Sequence, residues 1–324
     1  MFEVVRYTPE KADEWNTFTA RSRNGTFLFD RRYMDYHSAR YHDHSLMIYD
    51  RGRLVALFPA NETVDGRLIS HEGLTYGGLI VDRKTITDTV INAFSTLEKY
   101  LITARFQVVI YKAVPRIYHD IPSEEDLYVL TQICKARLIG RDLSSVVELR
   151  SRIRFTELRR RGTQKAQAAG ISIAESDDID TFWQILDNNL IRKYGVHPVH
   201  SASELRLLKH RFPSQIRLFV AREGQGGNRC LCLPRHHSRS IYSSIGTRQA
   251  DRRTRFVVRP PARRRLSRGP IFRFRPVDRD TGANAQPRSD LSKRRIRRTR
   301  RMLRHVRMVF MKLSFTAKPS IFHH

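Results

Sequence analysis

Residues 170–195 read GISIAESDDIDTFWQILDNNLIRKYG, and this stretch decides the fold. ISIAES has the length and branched content of a strand. Ser176-Asp177-Asp178 then supplies side-chain oxygens for the free amides of a helix start. Ile179, Phe182, Leu186 and Leu190 recur at helical spacing, and Gly195 is a natural stop. A strand handing over directly to a capped amphipathic helix is an α/β unit. Working outward, Ser201 and Glu204 form a capping box for SASELRLLKHRF (201–212), and QIRLFVARE (215–223) alternates as a strand. Upstream, SRIRFTELRRRGTQKAQAAG (151–170) reads as a basic helix ending at Gly170. From about residue 148 the order is helix, strand, helix, helix, strand. At Gly224 the pattern stops.

The front half alternates in the same manner. LMIYDRGRLVALFPA (46–60) is two apolar runs around Asp50-Arg51-Gly52, a hairpin signal, and Asp65-Gly66 marks a second turn. LTYGGLIVD (74–82) gives a short strand. TDTVINAFSTLEKYL (87–101) places Val90, Phe94, Leu97 and Leu101 on one helix face, and FQVVIYKAV (106–114) is a buried strand by its β-branched content. The fold class is therefore α/β (α+β). The division expected is 1–147, 148–224 and a tail, 225–324. No internal repeat is visible.

LRRRGTQKAQAAGISIAE (158–175), LIRKYGVHPVHS (190–201) and FPSQIRLFVARE (212–223), in that order, resemble the second domain of FemAB-like acyltransferases. These are double-domain members of the GNAT superfamily, also called BioF-like acetyltransferase domains. GTFLFDRRYMDYH (25–37), LVALFPAN (54–61) and LTYGGLIVD (74–82) are similar to the first domain of the same proteins. The resemblance covers about residues 1–224 and implies two GNAT-like domains, the second incomplete. It implies transfer of an acyl group from coenzyme A, acetyl-CoA for example, or of an amino acid from aminoacyl-tRNA. The acceptor implied is an amine or hydroxyl of a small molecule or a cell-envelope or polysaccharide precursor. No metal is implied.

The tail differs in kind. The chain carries 60 Lys+Arg against 32 Asp+Glu, a net of +28. Residues 1–224 hold 33 basic and 28 acidic residues, so the remaining 27 basic and four acidic ones leave most of that charge in 225–324. The tail has 24 arginines, three lysines and no glutamate. Arginine in such excess, without helical or strand period, is what GC-rich coding text gives when read out of frame. RRTRFVVRPPARRRL (252–266) can be encoded so that a one-base shift reads GALDLLFDHLLADA, an amphipathic helix. The same shift lets FRFRPVDRDTG (272–282) read FDFGLSTET and LSKRRIRRTRR (291–301) read SQKEGFGGRG. All three resemble later segments of the same family. The expectation is a frame change near 225–230, a largely irregular basic tail and an inactive chain as written. The competing class is a nucleic-acid-binding protein with a basic arm, which would hold phosphates with steep salt dependence.

Cys134, Cys230 and Cys232 do not read as a disulfide framework, so a reducing cytoplasm is expected. The first residues lack the apolar core of a signal peptide, and no run of about 18 apolar residues would make a transmembrane segment. No specific nucleic-acid partner is expected.

For catalysis, His71 and Glu72 could serve as base and orienter, with Tyr76 supplying a hydroxyl. The alternative is that they are structural strand-end residues. Arg161 and Lys165, four apart on the basic helix, could clamp the anionic part of an acceptor, or could be a solvated face. Arg31, beside Arg32, could face a cleft between the domains. Tyr194 and His197, with His200, follow the long helix and could touch the acceptor, or could simply pack the turn around Pro198. His42 and His44 alternate as on a strand without a third metal ligand. Cys230-x-Cys232 with His236-His237 has zinc spacing, which an out-of-frame tail would make accidental.

Overall fold

The computed structural model describes residues 1–145, 154–223, 227–234, 245–246 and 307–316. The chain opens with β1 (Phe2–Arg6), α1 (Ala12–Arg21), α2 (Arg31–Met34) and β2 (His42–Asp43). A hairpin follows, β3 (Leu46–Asp50) and β4 (Arg53–Phe58), turning at Arg51 and Gly52 with φ of 51° and 75°. Next come β5 (Asn61–Glu62), β6 (Arg67–Ile69), β7 (Ile80–Val81) and α3 (Thr87–Thr103). β8 (Val108–Lys112), α4 (Glu125–Tyr128) and β9 (Arg137–Ser145) end this first run.

The second run is α5 (Glu157–Ala168), β10 (Ile171–Ser176), α6 (Ile179–Tyr194), α7 (Ala202–Arg211) and β11 (Ile216–Glu223). Asp178 caps α6 by accepting from the Thr181 amide at 3.0 Å, and Gly195 ends it at φ 67°. Ser201 and Glu204 make the expected capping box on α7. β12 (Gly227–Pro234), β13 (Ile245–Gly246) and β14 (Arg307–Thr316) complete the described elements.

The strands form three sheets, and two of them repeat one plan. In the first, the order is β1-β3-β4-β7, all antiparallel, with α1 and α2 between β1 and β3. In the second, the order is β10-β11-β12-β13, all antiparallel, with α6 and α7 between β10 and β11. The fold thus contains a duplication that no sequence repeat announces. The second sheet continues past Gly224: β12 runs beside strand 215–223 from Ile216 opposite Pro234 to Glu223 opposite Gly227, so that strand is not an open edge. The proposed boundary at 147/148 lies outside the described residues, as do the tail residues 235–244, 247–306 and 317–324.

The third sheet has the order β2-β5-β6-β8-β14-β9. β6 and β8 pair in parallel, and β14 lies antiparallel to both β8 and β9. Leu97 and Leu101 of α3 pack with Val109 and Tyr111 of β8 in one core cluster, while Trp15, Phe29 and Tyr76 belong to a second. Phe182, Leu186, Leu208 and Leu218 make the core of the second unit. Among the described residues no helix is long and apolar enough to cross a membrane.

Gly78 combines a positive φ with a close approach: it sits at φ 89°, and a Cβ there would meet the Tyr111 hydroxyl at 2.8 Å. Gly52 has a similar φ of 75° with open space around it. Both Gly→Ala changes incur backbone strain of about 1–3 kcal/mol, and only the first adds a collision with a buried ring. We expect Gly78→Ala to lower the urea midpoint clearly more than Gly52→Ala; equal losses would show that the wall at Tyr111 yields freely.

Candidate functional site at the seam of the two units

The stretch from Phe27 to Tyr41 joins the units. Asp30 accepts from the Arg32 amide at 2.9 Å and caps α2, and the Asn16 side chain holds the Arg31 amide at 2.8 Å. Phe27 and Tyr33 pack against Phe212 with ring centroids 5.6 and 5.9 Å apart. Arg211 donates to the Arg32 carbonyl at 2.6 Å, and the Arg32 guanidinium lies 5.2 Å above the Phe212 ring. At the other end of the seam the Tyr36 hydroxyl donates to His200 Nδ1 at 2.7 Å. Trp183 holds the His200 carbonyl at 2.9 Å, and Arg40 pairs with Glu204.

The protonation states follow from burial. Desolvation holds the Tyr36 hydroxyl far above the ordinary tyrosine value, with Tyr33 and Glu204 adding to it, and pushes Tyr33 up to about 12. Burial also lowers the His200 imidazole, against the opposing pull of Glu204. At neutral pH the pair is therefore an uncharged O–H donating to a neutral ring nitrogen. The hydrogen-bonded pair ties residues 164 apart in sequence.

The residues picked from sequence fall in several places. Arg31 does not open onto a cleft: its guanidinium is buried, 3.6 Å above the Tyr7 ring, and bonds Asp35, Asp43 and Ser45. His71 is buried at φ 46°, edge-on to Tyr41 at 5.9 Å. Glu72 is exposed beside it, its amide held by Asn61 Oδ1 at 2.6 Å. Tyr76 is buried, stacked on Tyr118 at 4.9 Å, with its hydroxyl 3.3 Å from Thr26; burial raises that hydroxyl well above its ordinary value. Arg161 and Lys165 are exposed on α5, which buries no side chain, and Arg161 pairs with Glu157 at 3.1 Å. Tyr194 is exposed, and the equally exposed His197 meets Asp187 at 2.7 Å.

Sequence reasoning missed three arrangements. One is Tyr36 and Arg40 reaching across the seam, whose only signal was the density of tyrosine and histidine in YMDYHSARYHDH. Another is a relay in which His44 bonds Glu62 at 3.0 Å through Nδ1 and Tyr100 at 2.8 Å through Nε2. The third is a shallow cleft of about 290 Å³ lined by Arg21, Arg53, Asp82, Arg83 and Lys84, which suits an anion. Both His44 nitrogens are thus engaged, and no cluster of three or more metal-ligating side chains occurs among the described residues. Side chains at Cys230 and Cys232 are not described, and His236-His237 lies outside the described residues.

No protein-family model matches the chain, and no curated protein matches it. Among solved structures it is similar to FemX, with 11% identity and a TM-score of 0.45 over 68% of this chain. The chain spans 57% of FemX. It is also similar to the C-terminal domain of a putative lysylphosphatidylglycerol synthetase from Agrobacterium fabrum, with 12% identity and a TM-score of 0.45, covering 76% of this chain and 71% of that one. A tandem GNAT protein from the clavulanic acid biosynthesis pathway is matched over 99% of this chain and 100% of its own length, with 9% identity and a TM-score of 0.41.

The seam generates a pH prediction. A histidine titrating below its unfolded value stabilises the fold fully above about 6.5, and that contribution is lost as pH falls through the folded pKa. His44 and His119 are lowered by burial as well, so the difference between variants is the useful quantity. His200→Gln keeps an acceptor for Tyr36 and removes the titration. We expect its thermal midpoint to fall less than that of the wild type between pH 7.5 and 5; parallel profiles would show that His200 is not linked to stability.

Proposed function

We propose that the selected form of this protein is an N- or O-acyltransferase of two GNAT-like domains. Its donor is an acyl-CoA, acetyl-CoA for example, or an aminoacyl-tRNA, and its acceptor is a small molecule or a cell-envelope or polysaccharide precursor in the cytoplasm. The observation that carries this reading is a plan found twice, a four-stranded antiparallel sheet with two helices between its first two strands, interrupted in the first copy by β2, β5 and β6 of the third sheet, the two copies meeting along one seam. It supports the double-domain architecture that the sequence resemblance implies.

In the first unit β7 is followed by a turn and α3. In the second, the residues after β13 begin the Arg-rich text and lie outside the described residues. The shifted reading of that text places Gly-Ala before a leucine-rich helix, a start at which backbone amides would hold a diphosphate. As written, the Arg-rich text does not read as such a helix start, and we propose that the chain is inactive.

Of His71, Glu72 and Tyr76, Glu72 has the exposed carboxylate that an acceptor can reach, so it is assigned the general base. It takes a proton as the acceptor nitrogen or oxygen attacks the thioester carbonyl. The carbon–sulfur bond then breaks, and the leaving thiolate collects a proton. His71 and Tyr76 are buried in the core, His71 against Tyr41 and Tyr76 bonded to Thr26. Arg161, Lys165, Tyr194 and His197 are exposed and are assigned to an anionic acceptor. Arg31 serves by fixing the seam loop through Asp35 and Asp43.

The test compares the chain as written with a version whose frame is corrected, each supplied with acetyl-CoA and a panel of amine and hydroxyl acceptors. Thiol release by the corrected chain alone is expected. In that background Glu72→Gln should lower kcat about 10²-fold or more. Arg161→Ala/Lys165→Ala should raise the acceptor KM with kcat little changed. A corrected chain that neither binds acetyl-CoA nor accepts an aminoacyl-tRNA would overturn the assignment. Salt-resistant, sequence-selective DNA binding by the chain as written would favour the basic-arm alternative.

A further inference from the structure

The C-terminal strand belongs to the first unit. β14 lies between β8 and β9, with Lys312 opposite Lys112 and Thr316 opposite Val108 on one side. On its other side Arg307 faces Ser145 and Ser314 faces Arg137, with a register shift between Lys312 and Leu313. In the third sheet it is the one strand that joins β9 to β8. Without it, β8 would have an open edge next to Val109 and Tyr111, both fully buried, and β9 would have no neighbour in that sheet.

The sequence divides in the same places. Of the tail's 24 arginines, 20 fall in 247–306, between β13 and β14. RMVFMKLSFT (307–316) has two basic residues and ends in the alternation Lys-Leu-Ser-Phe-Thr of a strand. Text read out of register has no reason to supply a strand that pairs on both edges with partners some 165–200 residues earlier in the chain.

We propose that residues 307–316 are a selected clasp: a strand that closes the first unit's sheet and stays there without help from the Arg-rich segment preceding it. On this reading out-of-frame text, where present, ends before residue 307, and its start stays as expected near 225–230. The clasp rests on strand pairing alone and is independent of the acyltransferase reading.

The experiment uses the full chain with a site-specific protease site inserted after Gly282. After cleavage, the 283–324 fragment should co-elute with the remainder in 1 M salt, where charge adhesion is screened, and separate from it in 6 M guanidinium. Leu313→Pro, which removes a ladder amide, should release the fragment under native conditions. Release of the unmutated fragment in native buffer, or equal retention of the Leu313→Pro fragment, would overturn the clasp. If the proline variant does not fold, hydrogen exchange on the uncut wild type decides: amides 312–316 should be protected like 108–112, and exchange at the rate of unfolded peptide refutes the proposal. The nucleotide sequence reports on the frame separately. A one-base shift reversed by codon 307 is expected; a shift running uninterrupted to codon 324 would show that 307–316 is not selected text.

Discussion

β8 is a buried strand, and its backbone donors and acceptors must be paired along both edges. β6 satisfies one edge, and β14 satisfies the other from the far end of the chain. The side chains of β8 add a second constraint. The Tyr111 hydroxyl accepts from the Leu79 amide at 2.7 Å and donates to Asp126 at 2.5 Å. Burial pushes the Asp126 carboxyl up to about 6, and the bonds from Tyr111 and from its neighbour's amide oppose that rise. One ring thus links the β7 segment, β8 and α4, and its bulk is the reason residue 78 carries no Cβ. The cost of this design is kinetic. A sheet whose inner strand lies some 200 residues from its neighbours must close a long loop before that pairing rewards it.

Local chemistry was legible in the sequence, and long-range pairing was not. Asp178, Gly195, the Ser201–Glu204 box and the Arg51-Gly52 turn each act within a few residues, so spacing alone identifies them. The duplication was hidden because it is a repeat of topology. The two copies share the order of strands within the sheet and their antiparallel pairing, and neither depends on particular side chains. RMVFMKLSFT was hidden by its surroundings: after some sixty residues of Arg-rich text, a strand reads as more of the same tail.

The candidate site shows the same division. A charged residue is visible in a sequence, but its partners are not. Arg31 looked free to face a cleft because Asp43 and Ser45 are brought to it only by the fold. Tyr36 and His200 looked unrelated because 164 residues separate them. Exposed residues such as Arg161, Lys165 and Tyr194 remain as ambiguous in three dimensions as in one, since an exposed side chain on an unbound protein carries little record of what it meets.

The seam holds the two units together through contacts of three kinds. Its centre is apolar and aromatic, Phe212 against Phe27 and Tyr33, and burial of such rings supplies most of the free energy. The buried polar pair, Tyr36 and His200, is kept neutral, so the seam avoids the desolvation cost of a buried charge. The ion pair Arg40–Glu204 is left partly exposed, where it contributes little to stability but fixes the direction in which the units meet. A seam of this kind holds its geometry through its buried rings and the neutral pair, and its exposed charges lie at the rim.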